Sequence, residues 1–534
     1  MGFSRLISAR DFSPWENLLF KQEKLGLKLL TDNHALSVKL RNISNKKWDY
    51  FAIYQWLLAE HKDLSLSPQQ ITNLEKVKKG KAVFVITGQQ PGLLGGPMYW
   101  LYKALTAQQA ARKIEKDFSC SVVPVFWIAG DDSDLKECNH LELLEAKQAP
   151  YVFSLKQPDH EKLQPMSKRI FGAHQQEFLS QLSNILNKKS MEIVINAFKP
   201  EYSFTQSFKY IAQIFLKHYG VLFLDGYAHE FRKLSTHSMH KVISRSKEIE
   251  STLQETSVQL KMKGFKPIVN FQPGTVHAFI LINGERHRLI KNDSGLTYWD
   301  RSGRWIPVAE NNGAPITTFT HDVVSRPILI ENTLPIAGHI LGPNELGYFT
   351  QLAKVFKMFS PSEPLVYPRM TGTLLSQSCL MKFKNIGIPF SDVSKCKPSE
   401  LRNCLKEKSW VEKNWDQSLS VIPFKKFLSK MEKIHTSLKF SSDHMYKYAI
   451  LSLQKEMQKV WIKYINRMKN TTYQEAASSH KALFQELKWL ANGTGQDRHL
   501  NILSLINLLG ESKVHEIMRS FDPMEKNLQI IIYY

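Results

Sequence analysis

The chain has 534 residues, 43% hydrophobic and 22% charged, with a formal net charge of +22. That length exceeds one simple core and predicts two or three domains, and the composition is that of a soluble globular protein. No apolar run approaches the ~20 residues of a membrane span. The N-terminal M-G-F-S-R-L-I-S-A-R-D-F lacks the apolar core of a signal peptide and the Ser or Thr of a myristoylation signal, so a cytoplasmic protein with no membrane association is expected. Five cysteines (Cys120, Cys138, Cys379, Cys396, Cys404) form no C-x-x-C pair, which fits reduced structural thiols. Lysine and arginine are spread along the chain, with mild clustering around 76–81 and 425–469. Neither an arginine-rich tail nor a zinc spacing accompanies them, so the charge by itself is weak support for nucleic-acid binding.

In chain order, residues 1–80 read as a helical segment packing on the core. From Lys81 the pattern becomes strand (Ala82–Thr87), glycine-rich turn, helix (Met98–Lys116) and strand (Val122–Ala129), a βαβ unit that implies parallel strands. Short apolar runs at Val221–Asp225, Ala278–Ile282, Pro327–Ile330 and Leu365–Tyr367 continue the alternation and predict an α/β core over 81–383. The Gly, Asn and Trp punctuation of 264–320 suggests a β-rich insertion. After a linker near 384–400, residues 384–534 read as a helical domain. Phe424, Phe427, Met431, Ile434 and Leu438 are spaced 3-4-3-4, and Ile450, Leu453, Met457, Val460 and Tyr464 repeat the spacing, the seam of a coiled coil.

Three stretches carry chemistry. The first is T-G-Q-Q-P-G-L-L-G-G-P, from Thr87 to Pro97. A glycine turn between strand and helix lets backbone N–H groups face an anion with the helix dipole behind them, and Gln89 and Gln90 add amide donors. It is neither a Walker A loop nor G-x-G-x-x-G, and an ordinary tight turn is the plain alternative. The second, W-I-A-G-D-D-S-D at 127–134, sets Asp131, Asp132 and Asp134 directly after a buried strand, with Asn139 and His140 following. Both stretches fall at carboxyl ends of parallel strands, where ligands bind. A donor-rich turn beside clustered carboxylates can hold a phosphate on one side and an amine or Mg²⁺ on the other. Helix capping accounts for one of the three aspartates. Cys138-x-His140 lacks partner ligands, and His237 and His240 read as a solvated face, so no metal ligand set is assigned. In the third stretch Arg326 precedes an apolar run and Glu345 sits in a G-P-N-E turn. Arg369 follows a later short strand, and the two arginines read as anion clamps, with surface ion pairs the alternative.

Together these motifs resemble those of the bacillithiol biosynthesis cysteine-adding enzyme family, the cysteine ligases. T-G-Q-Q-P-G-L-L-G-G-P-M-Y is similar to the family's T-G-Q-Q-A-G-L-x-x-G-P-x-Y, and V-V-P-V-F-W-I-A-G-D-D-S-D-L-K-E-C-N-H to its V-P-V-F-W-I-A-S-E-D-H-D-F-x-E-x-N-H. V-V-S-R-P and G-P-N-E resemble V-V-T-R-P and G-P-G-E, and the likeness extends over essentially the whole chain. The resemblance implies a Rossmann-like parallel-sheet core with inserted connecting segments, a C-terminal coiled-coil domain and a homodimer. It implies joining of L-cysteine to the amine of glucosaminyl-malate, which forms bacillithiol. Carried over, Thr87, Gly88, Gln89, Gln90 and Gly92 line the active-site cleft, with Gly96 in the same turn. Asp132, Asp134, Asn139 and His140 also line it, beside Asp131, and Arg326 and Glu345 fall on the later motifs.

Ser133 stands where the family usually has histidine, Gly130-Asp131 replaces a Ser-Glu pair, and there is no H-x-G-H motif. A carboxylate forms an amide in water only after its oxygen becomes a leaving group, so ATP is the expected cofactor, with Mg²⁺ beside it. The Gly-Gln turn and Arg326 would stabilise the phosphate or acyl oxyanion. Asp132 or Asp134 would bind the cysteine ammonium or deprotonate the attacking amine. The basic surplus would steer a malate-bearing substrate to the site. The rivals are a nucleic-acid-binding protein and a scaffold of the same fold that has lost activity. An anisotropy titration with duplex DNA between about 50 and 200 mM salt tests the first rival. Only weak association, abolished at the upper salt, is expected; submicromolar affinity there would favour the rival.

Overall fold

Six strands make the central sheet: β1 (Lys28–Leu29), β2 (Val83–Gln89), β3 (Val122–Ile128), β4 (Leu222–Asp225), β5 (Ile336–Leu341) and β6 (Leu365–Pro368). Their spatial order is β1-β6-β5-β2-β3-β4, and every neighbouring pair is parallel. This computed structural model describes residues 3–8, 14–20, 27–143, 151–155, 163–172, 175–292, 295–300, 302–308, 318–360, 362–376, 501–525 and 528–533, with isolated residues between 381 and 463. The coiled-coil seam expected over 424–464 lies almost entirely outside them.

The apolar runs of β2 and β3 are continuous because both faces are covered. Phe84 and Ile86 join one hydrophobic cluster with Trp127 and Leu224, while Val83 and Val85 point to the other face with Val122. The crossover helix α1 (Tyr99–Phe118) packs on both strands. Its Ala107, Ala110 and Ala111 are buried against Val83 and Val85, and their small side chains let the helix approach the sheet closely.

The chain leaves β2 towards β3 and β4, then returns to place β5 on the opposite side of β2. The sheet order therefore switches at the β2–β5 boundary, where a crevice opens outside the carboxyl ends of the two strands. Thr87 Oγ1 donates to the Ile340 carbonyl across that boundary at 2.8 Å.

The apolar run Pro327–Ile330 is not a strand: it lies in helix α2 (Ser325–Thr333). Asp322 Oδ1 accepts from the Val324 and Ser325 amides at 2.8 Å each, ordering the helix start, and Pro327 occupies the first turn, where no N–H is needed. Full burial made the run apolar on every side, so periodicity could not separate helix from strand. The strand of this region is β5, whose I-A-G-H-I-L is broken by Gly338 and His339. A Cβ on Gly338 would come 2.3 Å from Leu30 Cδ1.

The segment 264–320 contains most of a five-stranded antiparallel sheet, in the order Trp305–Pro307, Gly295–Trp299, Glu285–Asn292, Thr275–Ile282, Phe319–His321. Ala278–Ile282 thus belongs to this sheet and not to the parallel core. The N-terminal segment is largely helical but also supplies β1. Beyond residue 500 the chain returns to the core. Helices Ile502–Leu509 and Glu511–Ser520 bury Leu503, Ile506 and Ile517 in the cluster that holds Trp100 and Phe215.

A buried polar triad ties helix Asn33–Ser44, α2 and β5 together. Lys39 Nζ lies 2.5 Å from Glu331 Oε2, and His339 Nε2 lies 2.8 Å from Glu331 Oε1. Burial opposes ionisation of Glu331, yet Lys39 and His339 hold its pKa below the usual carboxylate value. Lys39→Ala would leave that carboxylate buried without its main cation. A loss of about 3–5 kcal/mol is expected, read as a lower urea midpoint.

Candidate active site

The turn after β2 coils back on itself. Leu94, Gly95 and Gly96 have φ of 47°, 92° and 59°, the left-handed region that glycine enters freely. Gly92 and Gly96 pack face to face, and a Cβ on Gly92 would sit 2.7 Å from Gly96 Cα. Asn501 Nδ2 donates to the Leu94 and Gly96 carbonyls at 2.9 and 3.1 Å, pinning the coil. Gly92 and Gly96 are consequently buried and do not line the cleft, against the expectation for them. Thr87, Gly88, Gln89 and Gln90 do line it.

The charge beneath the turn is Lys103, on α1, which sequence reading passed over. It is 3% exposed and its Nζ donates to the Gly88 carbonyl at 2.8 Å and to Gln89 Oε1 at 3.0 Å. It also lies 2.6 Å from Glu345 Oε2. Burial lowers its pKa, and Glu345 works in the opposite direction. Glu345 is not on an open turn: it is the third residue of helix α3 (Pro343–Gln351), and its Oε2 accepts from the Gly342 amide at 2.6 Å. Arg369 and Lys103 each lie 5.7 Å from the ring centre of Tyr99. Arg326 Nη2 donates to Tyr348 Oη at 3.1 Å. Lys103, Arg326 and Arg369 thus set three cations along the cleft, at the end where β2 and β5 diverge.

The three aspartates after β3 divide their work. Asp134, at the exposed rim, accepts from the Lys136 amide at 3.1 Å and caps the short helix Leu135–Cys138. Asp132 accepts from Gln90 Nε2 at 2.7 Å and from the Asp134 amide at 3.1 Å. Burial pushes its pKa up, but Arg286 and the Gln90 amide hold it below the normal carboxylate range. Asp131 is 2% exposed; its Oδ2 lies 3.3 Å from Arg286 Nη2 and 3.1 Å from His321 Nδ1. Burial pushes Asp131 up to about 6, with Arg286 only partly offsetting it.

Glycine at 130 has a local cause: a Cβ there would come 2.0 Å from Ser167 Oγ and 2.3 Å from Asp225 Oδ1. His140 lies on the cleft at the start of strand His140–Leu143. Asn139 does not line the cleft; its Nδ2 donates to the Leu155 carbonyl at 3.0 Å and holds the adjoining hairpin. Cys138 is buried, its thiol pushed well up by burial.

The cleft measures about 860 Å³. Besides the expected residues it is lined by His277, Arg286, Arg288 and His321 from the antiparallel insertion. Arg286 lies 3.7 Å from the ring centre of Phe279 and donates to the His321 carbonyl, so a second wall of the cleft is built by the inserted sheet. The sequence signal for these residues was faint. Lys103 is a single charge in an otherwise apolar helical stretch, and R-H-R at 286–288 is a short basic run with no apolar alternation to show that Arg286 is buried.

A parallel sheet with its crevice at a switch point, charged residues facing that crevice and a β-rich insertion roofing it define a Rossmann-like α/β domain. Residues 30–370 match the family described as Bacillithiol biosynthesis BshC, N-terminal Rossmann-like domain. The chain belongs to this family. Among relatives described as "Putative cysteine ligase BshC", that of Geobacillus thermodenitrificans is 26% identical over 374 residues, 68% of each chain. That of Bacillus mycoides is 28% identical over 355 residues, 65% of this chain and 66% of its own. That of Desulforamulus reducens is 23% identical over 492 residues, 88% of this chain and 87% of its own.

The Asp131 environment generates a pH dependence. Its folded pKa of about 6 lies above the ordinary 3.8, so the stability it contributes is full below about pH 4 and is lost as pH rises through about 6. At 1.36 kcal/mol per unit the span is on the order of 3 kcal/mol. Asp131→Asn is expected to flatten the slope of unfolding free energy between about pH 4 and 6, measured by urea titrations at fixed pH. An unchanged slope would assign the titration elsewhere.

Proposed function

We propose that this chain is a ligase of bacillithiol biosynthesis that joins the carboxyl group of L-cysteine to the amine of glucosaminyl-malate. The reading rests on the family to which residues 30–370 belong, and one observation supports it at the site. A single cleft carries the cations Lys103, Arg326 and Arg369 together with the carboxylates Asp131 and Asp132. An amide-forming ligase needs this pairing, because it handles the negative oxygens of an activated carboxyl group and the positive ammonium of an amine in one space.

The donor set fits the anionic groups of a nucleotide: Arg326 and Arg369 would hold phosphate oxygens, Lys103 would add positive charge from beneath the turn, and Asp134 at the rim would be available to Mg²⁺. ATP, when bound, supplies the leaving group that the cysteine carboxylate lacks. Lys103 and Arg326 also stabilise negative charge on the acyl oxygen, an effect that is strong in a cleft shielded from water. Asp132 remains ionised and is the residue suited to bind the cysteine ammonium. Gln90 holds it in place through the 2.7 Å hydrogen bond. Arg286, tied to the roof by Thr320 and the His321 carbonyl, sets the charge balance of the aspartate pair.

The test is a mass-spectrometric assay of the purified protein with L-cysteine and glucosaminyl-malate, with and without Mg-ATP. ATP-dependent bacillithiol is expected, and the nucleotide product separates adenylation (AMP) from phosphorylation (ADP). Asp132→Asn should lower kcat/KM by about 100-fold or more, on the scale of a lost charged contact to the reacting groups. Full activity in that variant would remove Asp132 from the scheme.

A further inference from the structure

Two histidines of the inserted sheet line the cleft with one buried ring nitrogen lacking a hydrogen-bond partner: Nε2 of His277 and Nε2 of His321. Each has its Nδ1 on an aspartate, His277 on Asp322 at 2.9 Å and His321 on Asp131 at 3.1 Å. They differ in setting. His321 is flanked by Trp127 and Phe231, with ring centres 5.8 and 5.6 Å away. Burial, with Arg326 and Arg286 beside it, pushes its pKa well below 6.5, which makes it a poor base.

His277 is built differently. It is 1% exposed and its φ is +57°, a left-handed conformation that a non-glycine side chain adopts only under constraint. It sits where the register between Thr275–Ile282 and Glu285–Asn292 is broken, between Thr275 and Phe279. Such an irregularity re-aims a side chain out of the regular alternation. Its partner Asp322 is fixed by the Val324 and Ser325 amides on Oδ1, which leaves Oδ2 for the imidazole. Against the effect of burial, His277 and those amides hold the Asp322 carboxyl down at about 2, so it is a permanent acceptor. Nδ1 therefore carries the proton, and the Nε2 lone pair is free.

We infer that His277 is the general base of the amide-forming step, with Asp322 as its positioning residue; the assignment rests on the ligase reading above. In that step the substrate amine forms a bond to the carboxyl carbon of cysteine activated by a nucleoside triphosphate. The bond from that carbon to the phosphoryl- or nucleotidyl-bearing oxygen breaks, and the oxygen leaves with the electron pair. The proton lost by the attacking nitrogen passes to His277 Nε2. The other charged and titratable groups on elements packed against this strand include Glu285, Arg286, His287, Arg288 and Lys291 on one flanking strand, His321 on the other, and Arg232 and Glu250 on the helices behind. This base comes from the insertion, so the imidazole missing at Ser133 is supplied from another part of the chain.

The test uses the full chain with L-cysteine, glucosaminyl-malate and Mg-ATP. Asparagine tolerates left-handed φ, so His277→Asn removes the imidazole while keeping the backbone. It should lower kcat by about 100-fold or more and leave KM within about threefold. Calorimetric binding of glucosaminyl-malate should stay within about threefold. Asp322→Asn keeps an acceptor for the helix amides but presents an N–H to the ring, forcing the proton onto Nε2. It should show a similar loss, and the double variant should be no worse than either single one. If His277→Asn does not fold, Asp322→Asn decides in the same way. Wild-type product with His277→Asn within threefold in kcat overturns the assignment alone. No product from the wild type overturns the ligase reading and this assignment with it.

Discussion

The site depends on one junction, the boundary between β2 and β5 where the order of the parallel sheet switches. Parallel strands that diverge there leave backbone carbonyls and amides facing outward with no neighbouring strand. Lys103 fills this position from below, reaching the Gly88 carbonyl, the Gln89 amide oxygen and Glu345 at once. A buried ammonium is tolerated only with a partner and several acceptors, so the turn after β2 and the start of α3 are both held to its geometry. The coiled turn, the Gly92–Gly96 contact and the clasp by Asn501 follow from the need to bring α1 back beneath that junction.

The second wall has a different origin. The antiparallel insertion lies in the chain between β4 and β5 and folds over the crevice, carrying Arg286 to the aspartates that end β3. Asp131 and Asp132 are adjacent in sequence yet differ in state, because one is enclosed by the roof and the other shares its charge with Gln90 and a backbone amide. Such divergence between neighbouring carboxylates is how one cleft can offer both an ionised anchor and a group that titrates near neutrality. His277 and Asp322 extend the same logic, with a strained backbone fixing the direction of a ring.

Much of this was legible in the residues. The continuous apolar runs of β2 and β3, separated by a helix-length segment, determined a parallel βαβ unit because only strands covered on both faces are apolar throughout. The motifs at 87–97 and 127–134 marked segments that border the cleft, since turns following such strands fall at the carboxyl edge of a parallel sheet. The punctuation of 264–320 marked a β-rich insertion, and three carboxylates in four residues, more than capping needs, marked an acidic cluster, although not that Asp134 would be the one that caps.

What the tertiary structure alone decided is which residues meet. α2 and β5 were obscured by the burial that makes a helix apolar all round and by the polar triad that breaks a strand's pattern at His339. Lys103, Arg286 and His277 carry no local signature, because a buried charge is identified by what surrounds it and those partners lie far along the chain. Gly92 and Gly96 carry a motif's appearance but serve the turn's own packing, a distinction set by close backbone approach. Local sequence determines turns, strands and the chemistry available; the distances and dielectric that assign each group its role arise only when the switch point and the roof close over the same space.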